Sequence, residues 1–272
     1  MHPTPQRNHD VTTHTPSDTS LWLRRYHAAP RSRVRLVCFP HAGGSASYYH
    51  PVSAALSPAV EVTAVQYPGR QDRRTEPCVD DLGDLAARVW EQLRPALAAE
   101  PALPTALFGH SMGAVVSFEV ARLMERDTGA GPLVLFASGR RAPGIPQDDD
   151  ISSRDEAGVV REMRALGGTD SRVLSDPELL EMVLPALRSD YRAVERYRCD
   201  TGTRISAPVS VLVGDSDPRT TLEQARAWDL HTSAGTAFHT YPGGHFYLEH
   251  NQTAVLDTIR DTLAAHGLPV AP

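Results

Sequence analysis

The chain has no lysine, so all 27 basic residues are arginine, and with 33 acidic residues the formal net charge is −6. A negative chain argues against nucleic acid as the main partner, because binding to phosphates needs a basic surface. Any cationic docking patch must therefore consist of guanidinium groups, which bind phosphate and carboxylate in a bidentate manner.

Long apolar runs and clustered cysteines are also missing. No run of 18 or more apolar residues occurs, so we expect no transmembrane helix and no membrane partner. The first 20 residues contain no apolar stretch typical of a signal peptide, which favours a disordered tail and a cytoplasmic location. Cys38, Cys78 and Cys199 lack metal-ligand or redox spacing, which favours packing roles.

Short apolar or β-branched runs alternate with helical patterns along the chain. The runs are typical of strands buried on both faces of a parallel sheet, and they occupy residues 33–39, 60–66, 105–108, 132–138, 208–213 and 237–241. Amphipathic helical periodicity occurs at residues 81–99, 114–126, 221–231 and 252–266. This alternation predicts an α/β fold with a doubly wound, mostly parallel sheet.

One segment, residues 140–202, breaks the alternation because it contains no convincing strand. Helical patterns occupy residues 154–166 and 176–197, and Asp176 before Pro177 is typical of a helix start. We expect this insertion to form a helical lid. The predicted division is a disordered tail at 1–20, an α/β core at 21–139 and 203–272, and a lid at 140–202.

A serine between two glycines lies where a predicted strand meets a predicted helix, in the stretch Gly109-His110-Ser111-Met112-Gly113. The pattern alone is weak evidence for a nucleophile. Between a strand and a helix, however, it predicts a sharp turn that lifts the hydroxyl above the sheet. The helix N-terminus then points at the group that the serine attacks. Ser111 is therefore the candidate nucleophile, and a helix-capping serine is the alternative.

An activated serine needs a base and a group that orients the base. Asp217 and His245 each follow a predicted strand, in the chain order of serine, acid and histidine that α/β-hydrolases use. Asp215 is a rival acid, but Pro218 favours an extended conformation that projects Asp217. His245 is preferred as the base to His231, His239 and His250, which lie within predicted helices or a strand. His110 is expected to pack in the turn.

The oxyanion formed by such a serine needs two backbone N–H donors. Met112, the residue after the nucleophile, is expected to supply one. The glycine-rich loop at residues 39–45 is expected to supply the other from Ala42, because its glycines allow close approach of the backbone.

Taken together, the motifs resemble those of the stand-alone type II thioesterases of polyketide and nonribosomal peptide biosynthesis, which have the α/β-hydrolase fold. The motifs are FPHAGGS at 39–45, YPGR at 67–70, FGHSMG at 108–113, SGRRAP at 138–143, GDSDP at 214–218 and GGHF at 243–246. The resemblance covers roughly residues 36–267, and it carries the family's catalytic triad over to Ser111, Asp217 and His245.

This resemblance implies that the chain hydrolyses acyl groups from the phosphopantetheine arm of acyl or peptidyl carrier proteins, removing stalled or misprimed chains. It implies no metal and no cofactor besides the phosphopantetheine that the substrate carries, and we expect a monomer. Because carrier proteins are usually acidic, five arginines are candidates for docking or phosphate contacts: Arg70, Arg73, Arg74, Arg140 and Arg141. The alternative is that they are ordinary solvated surface arginines.

Three other functions stay open from the sequence. A general carboxylester hydrolase needs the same triad, and a chain-releasing thioesterase uses the same chemistry. A carrier-binding scaffold without turnover is the remaining alternative, and it would not depend on the hydroxyl of Ser111.

Overall fold

The computed structural model describes residues 21–98, 103–147, 149–168 and 175–268, so the predicted tail at 1–20 lies outside the described residues. Within them, seven strands form one sheet in the order β1-β3-β2-β4-β5-β6-β7. The strands are β1 Leu23–Arg24, β2 Val34–Phe39, β3 Val60–Val65, β4 Thr105–His110, β5 Leu135–Ser138, β6 Val209–Gly214 and β7 Thr236–Tyr241. Neighbours pair in parallel from β3 to β7, and β1 is antiparallel to β3, which confirms the predicted fold class.

Helices connect most of these strands. Their bounds are α1 His50–Leu56, α2 Leu82–Ala98, α3 Met112–Thr128, α4 Glu156–Leu166, α5 Pro177–Arg196, α6 Leu222–Arg226, α7 Tyr247–His250 and α8 Gln252–Ala265. The helix predicted at 221–231 is α6 followed by the 3-10 turn Ala227–His231. The short elements β1, α1 and α7 were not predicted, because two to seven residues carry too little periodicity to be recognised.

Both faces of the sheet are covered by helices, and alternate side chains of β2 show this directly. Val37 and Phe39 pack into one core, which also contains the apolar faces of α2 and α3. Leu36 and Cys38 pack into the other core, with side chains of α1 and α8. Burial of each such side chain contributes about 1.5–3 kcal/mol to folding, so the double layer explains why the strands read as near-continuous apolar runs.

The described part of the segment between β5 and β6 contains helices and no strand. Its helices share an apolar cluster of their own, formed by Ile151, Val159, Val160, Met163, Leu180, Leu184, Leu187 and Tyr191. Helix α5 begins as its sequence predicts, because the Asp176 carboxylate accepts hydrogen bonds from the N–H groups of Glu178 and Leu179. We propose that residues 140–202 act as a lid, since this cluster packs against Ala42 in the loop that follows β2.

The three cysteines form no disulfide with one another. Cys38 is buried, Cys78 and Cys199 are half-buried, and all three are free thiols.

Among the described helices, none has the length and the apolar character needed to cross a membrane.

The turn between β4 and α3 is tight, because only Ser111 separates the two elements. Ser111 has φ 55° and ψ −117°, a conformation that side chains disfavour and that costs about 1–3 kcal/mol. A Cβ at Gly113 would lie 2.0 Å from the carbonyl oxygen of Phe39, and one at Gly109 would lie 2.1 Å from that of Gly113. The flanking glycines are therefore required by close contact between backbones.

Replacing Gly113 by alanine is expected to destabilise the protein by about 3 kcal/mol or more, because the new methyl group meets backbone atoms that cannot rotate away. Urea denaturation measures the change. The matched control is Gly202→Ala, at an exposed turn where no described atom lies within 4 Å of the added Cβ. Equal stability of the two variants would show that the turn tolerates a wider backbone separation.

Candidate active site

Three side chains from separate loops meet at the carboxyl edge of the sheet. His245 Nε2 lies 2.9 Å from Ser111 Oγ, and His245 Nδ1 lies 2.9 Å from Asp217 Oδ2. The loops follow β4, β6 and β7, as the sequence analysis predicts. With the Asp217 carboxylate accepting from Nδ1–H, Nε2 of the neutral ring is left to accept the proton of the Ser111 hydroxyl.

The acid of this group is fixed by its own loop. Asp217 Oδ1 accepts a hydrogen bond of 2.8 Å from the N–H of Arg219. The Asp217 and His245 side chains are 0% and 5% exposed, so water does not compete for the contact between them. Asp215 has a different role, because its Oδ1 accepts from the N–H of Gly243 at 3.0 Å. This hydrogen bond joins the loop that carries Asp217 (the acid loop) to the loop that carries His245 (the histidine loop).

Two further histidines lie beside His245. The His110 ring centroid is 5.2 Å from that of His245, and His110 Nδ1 is 2.9 Å from Ser138 Oγ. Burial, followed by the charge of His245, lowers the pKa of His41 to about 3 and that of His110 well below its usual value. Both rings are therefore neutral at physiological pH, and they do not compete with His245 for the serine proton.

The expected oxyanion donors flank the nucleophile. Ala42 and Met112 line the same small pocket as Ser111 and His245. Met112 is the first residue of α3, so its N–H has no acceptor within the helix and lies at the positive end of the helix dipole. In the loop after β2, the N–H of Gly43 donates to Asp190 Oδ2 at 2.7 Å, which leaves Ala42 as the better placed donor. Its role remains a prediction.

The candidate docking arginines are mostly inside the protein. Arg70 is 6% exposed and forms an ion pair with Asp190, which removes it from any surface that a carrier protein could reach. Arg73 is buried as well and donates to Glu76. The docking role expected for these two residues is therefore not supported by their position.

Arg140 and Arg141 lie nearer to the reaction centre. Arg140 lines the pocket of Ser111 and donates to Gln147 Oε1. Burial, followed by the charge of Arg141, lowers the pKa of Arg140 to about 10. Arg141 is half-buried and donates to the carbonyl of Arg219 at 2.7 Å. Arg140 is therefore placed to meet a substrate entering the site, whereas Arg141 does not line that pocket, and docking by either one remains a prediction.

Sequence reasoning missed two residues that tie the site to the helices above it. Arg219 forms ion pairs with Asp149 and with Glu162 of α4, and Asp190 of α5 holds Gly43. A signal for Asp190 is present in the sequence, because the residue lies three positions after Leu187 on the otherwise apolar face of an amphipathic helix. A buried acid at such a position needs a partner.

Two cavities adjoin each other at this edge of the sheet. The pocket over Ser111 has a volume of about 40 Å³, enough for little more than the reacting group. The neighbouring cavity has a volume of about 390 Å³ and shares His41 and Ala42 with that pocket. Its far wall consists of apolar side chains from the lid helices, namely Met163, Val183 and Leu187.

No metal site accompanies this group. Over the described ranges, no three His, Cys, Asp or Glu side chains come together in a way that could hold a metal ion. The expectation that the reaction needs no cofactor stays a prediction.

The sheet, the strained turn and the serine, histidine and aspartate beyond its strands define an α/β-hydrolase. The chain belongs to the thioesterase domain family, whose model matches residues 34–263. It is 50% identical over 261 residues to the "probable cadicidin biosynthesis thioesterase" of Streptomyces griseus, covering 95% of this chain and 71% of that protein.

Solved structures show the same relationship. The type II thioesterase BorB from the borrelidin biosynthetic cluster matches with a TM-score of 0.81 and 44% identity, over 92% of this chain and 99% of that one. YbtT, a type II thioesterase from the yersiniabactin NRPS/PKS biosynthetic pathway, matches with a TM-score of 0.80 and 30% identity, over 90% of this chain and 99% of that one. The chain is thus a thioesterase-family hydrolase related to type II thioesterases of such pathways.

Replacing Asp217 by asparagine is expected to lower kcat about 10⁴-fold, because the amide favours the wrong tautomer of His245 and cannot stabilise its cation. Steady-state hydrolysis of a p-nitrophenyl ester measures the loss. The control is Asp215→Asn, whose amide oxygen can still accept from the N–H of Gly243 and whose kcat should stay within about threefold of wild type. The reverse order of effects would make Asp215 the acid.

Proposed function

We propose that this chain hydrolyses acyl thioesters on the phosphopantetheine arm of acyl or peptidyl carrier proteins, and that it thereby removes stalled or misprimed chains from a polyketide or nonribosomal peptide synthase. The observation that carries the proposal is the continuous contact from Ser111 through His245 to Asp217 at 2.9 Å per step. The relatives that are type II thioesterases of biosynthetic pathways support a thioesterase of such a synthase.

The first half of the reaction is acyl transfer to the enzyme. Ser111 Oγ attacks the thioester carbonyl as its proton passes to His245 Nε2. The N–H groups of Ala42 and Met112 stabilise the oxyanion, and Asp217 stabilises the imidazolium. The carbon–sulfur bond then breaks, the thiolate of the phosphopantetheine arm takes the proton from His245, and the acyl group remains on Ser111.

In the second half, a water molecule takes the place of the thiol. His245 Nε2 accepts one proton of the water as its oxygen attacks the acyl-serine, and the second tetrahedral intermediate uses the same two N–H donors. Collapse returns the proton to Ser111 Oγ and releases the carboxylic acid.

The two cavities divide the substrate between them. The small pocket at Ser111 accommodates the reacting carbonyl, and the larger neighbouring cavity, which is lined on one side by Met163, Val183 and Leu187, accommodates the apolar part of an acyl chain. Because the lid helices supply this wall, we infer that their side chains set the length of chain that is accepted.

The function is tested by single-turnover hydrolysis of acyl groups from a phosphopantetheinylated carrier protein, with the matched oxygen esters beside them. Ser111→Ala is expected to lose about 10⁶-fold in rate, keeping only what binding and the oxyanion donors supply. The control, Ser117→Ala, removes a hydroxyl that donates to a carbonyl of its own helix and should keep its rate. Turnover of oxygen esters alone would indicate a general esterase, and a folded protein that cleaves neither substrate would indicate a scaffold.

Narrowing the larger cavity is expected to change chain-length preference. Val183→Trp should lower kcat/KM for an octanoyl thioester at least about tenfold and leave the acetyl thioester nearly unchanged, because only the long chain needs the filled space. The control is Met182→Trp, at the neighbouring position of α5, where the side chain is exposed by 57%. If both chain lengths respond equally to Val183→Trp, the cavity does not hold the acyl chain.

A further inference from the structure

A buried ion pair between lid helix α5 and the loop after β3 contacts the loop that carries Ala42. Asp190 of α5 is 1% exposed and Arg70, in the loop after β3, is 6% exposed. Arg70 Nη2 donates to Asp190 Oδ2. Neither residue is among those that line the pocket of Ser111, so neither is placed to touch the reacting atoms.

The pair binds two consecutive residues directly after Ala42. Asp190 Oδ2 accepts from the N–H of Gly43 at 2.7 Å, and Arg70 Nε donates to the carbonyl of Gly44 at 3.1 Å. The remaining guanidinium nitrogen, Nη1, donates to the carbonyl of Pro68 at 2.7 Å. Every nitrogen of the guanidinium is therefore engaged, and the backbone that follows Ala42 is held at both a donor and an acceptor.

Helix α5 touches the same loop at a second point. Gly43 has φ +72°, and a Cβ there would lie 2.8 Å from Leu187 Cδ1. Leu187 precedes Asp190 by three residues, so both side chains lie on one face of the helix. Gly43 is thus packed against α5 on one side and hydrogen-bonded to it on the other.

On the upstream side of Ala42, the hydroxyl groups of two tyrosines hold the loop. Tyr49 donates to the carbonyl of Phe39 at 2.8 Å, and Tyr67 donates to that of Pro40 at 3.4 Å. The Arg70 guanidinium carbon lies 5.1 Å from the centroid of the Tyr67 ring, so the two sets of contacts support each other.

We propose that Asp190 and Arg70 are positioning residues of the oxyanion hole, which hold the Gly43 and Gly44 peptides so that the Ala42 N–H points at the carbonyl oxygen of the substrate. The proposal rests on the proposed function only in taking Ala42 as an oxyanion donor. Since a buried charge without its partner is strongly destabilising, the pair also makes this alignment depend on α5 being seated on the loop.

The test compares Asp190→Ala with Asp190→Asn. The alanine removes the acceptor for Gly43, whereas the amide oxygen of asparagine can still accept that N–H. We expect kcat to fall about 10²-fold in Asp190→Ala, near the lower range for loss of an oxyanion donor, with KM changed by less than about threefold. In Asp190→Asn, most of the loss in kcat should be restored.

A second readout reports on the oxyanion hole itself. A trifluoromethyl ketone accepts Ser111 Oγ at its carbonyl carbon, the serine proton passes to His245, and the carbonyl oxygen becomes an alkoxide in the hole. Its inhibition constant is expected to rise in Asp190→Ala by about the same factor as kcat falls, because both depend on the aligned N–H. A purely structural role would not move the two quantities together.

Glu61→Ala is the matched control, because it breaks another buried ion pair. Glu61 pairs with Arg35, and their side chains are 11% and 2% exposed. Glu61 lies at the start of β3, the end of the strand opposite the active site. The substitution should lower the melting temperature as Asp190→Ala does, and kcat, measured well below both melting temperatures, should match that of the wild type.

An unchanged kcat in folded Asp190→Ala, or an equal loss of kcat in Glu61→Ala, would overturn the proposal. If Asp190→Ala does not fold, Arg70→Lys carries the test, since lysine keeps the charge but cannot reach the carbonyls of Gly44 and Pro68 together; we expect kcat to fall about tenfold, and no change would overturn the proposal. All assays use a p-nitrophenyl ester, whose Ser111-dependent cleavage needs no carrier protein, so failure of the thioesterase function is recognised separately.

Discussion

The close approach of α3 to β2 is the constraint on which the rest of the site depends. Gly113 lies so near the carbonyl of Phe39 that a Cβ there would be 2.0 Å from its oxygen, and this contact allows the chain to pass from strand to helix through Ser111 alone. The turn gives Ser111 its positive φ, lifts its hydroxyl above the sheet and aims the N-terminus of α3 at the same point. The backbone strain at Ser111 is offset by the packing of β4 and α3 into the two hydrophobic cores.

The loops after β2, β6 and β7 complete the site, and each is held from a different direction. The acid loop is joined to the histidine loop by Asp215 and to α4 by Arg219. The loop after β2 is held by Arg70 and by Asp190 of α5. Both lid helices thus bear directly on groups that surround the reaction centre. In our proposal these helices form a lid over the acyl cavity, and the seating of the lid also sets the geometry of the catalytic loops.

Local pattern was enough to predict the six parallel strands, the main helices and the convergence of Ser111, Asp217 and His245, because each of these three residues follows a recognisable strand. Contacts between residues that are far apart in the sequence could not be predicted from local patterns. Gly43 and Asp190 are 147 positions apart, and no local pattern encodes how a lid helix settles on a loop. Arg70 was expected at the surface, where most arginines lie. It is buried because Asp190 and two backbone carbonyls satisfy its guanidinium.

The most direct test of the account is to locate the acyl group during turnover. The enzyme is mixed with an acyl-loaded carrier protein, quenched in acid within milliseconds, digested and analysed by peptide mass spectrometry. We predict a peptide that contains Ser111 and is heavier by the mass of the acyl group, which disappears as the free acid forms and is absent from Ser111→Ala. Release of acid with no adduct, or with the adduct on another residue, would contradict the assignment of Ser111 as the nucleophile.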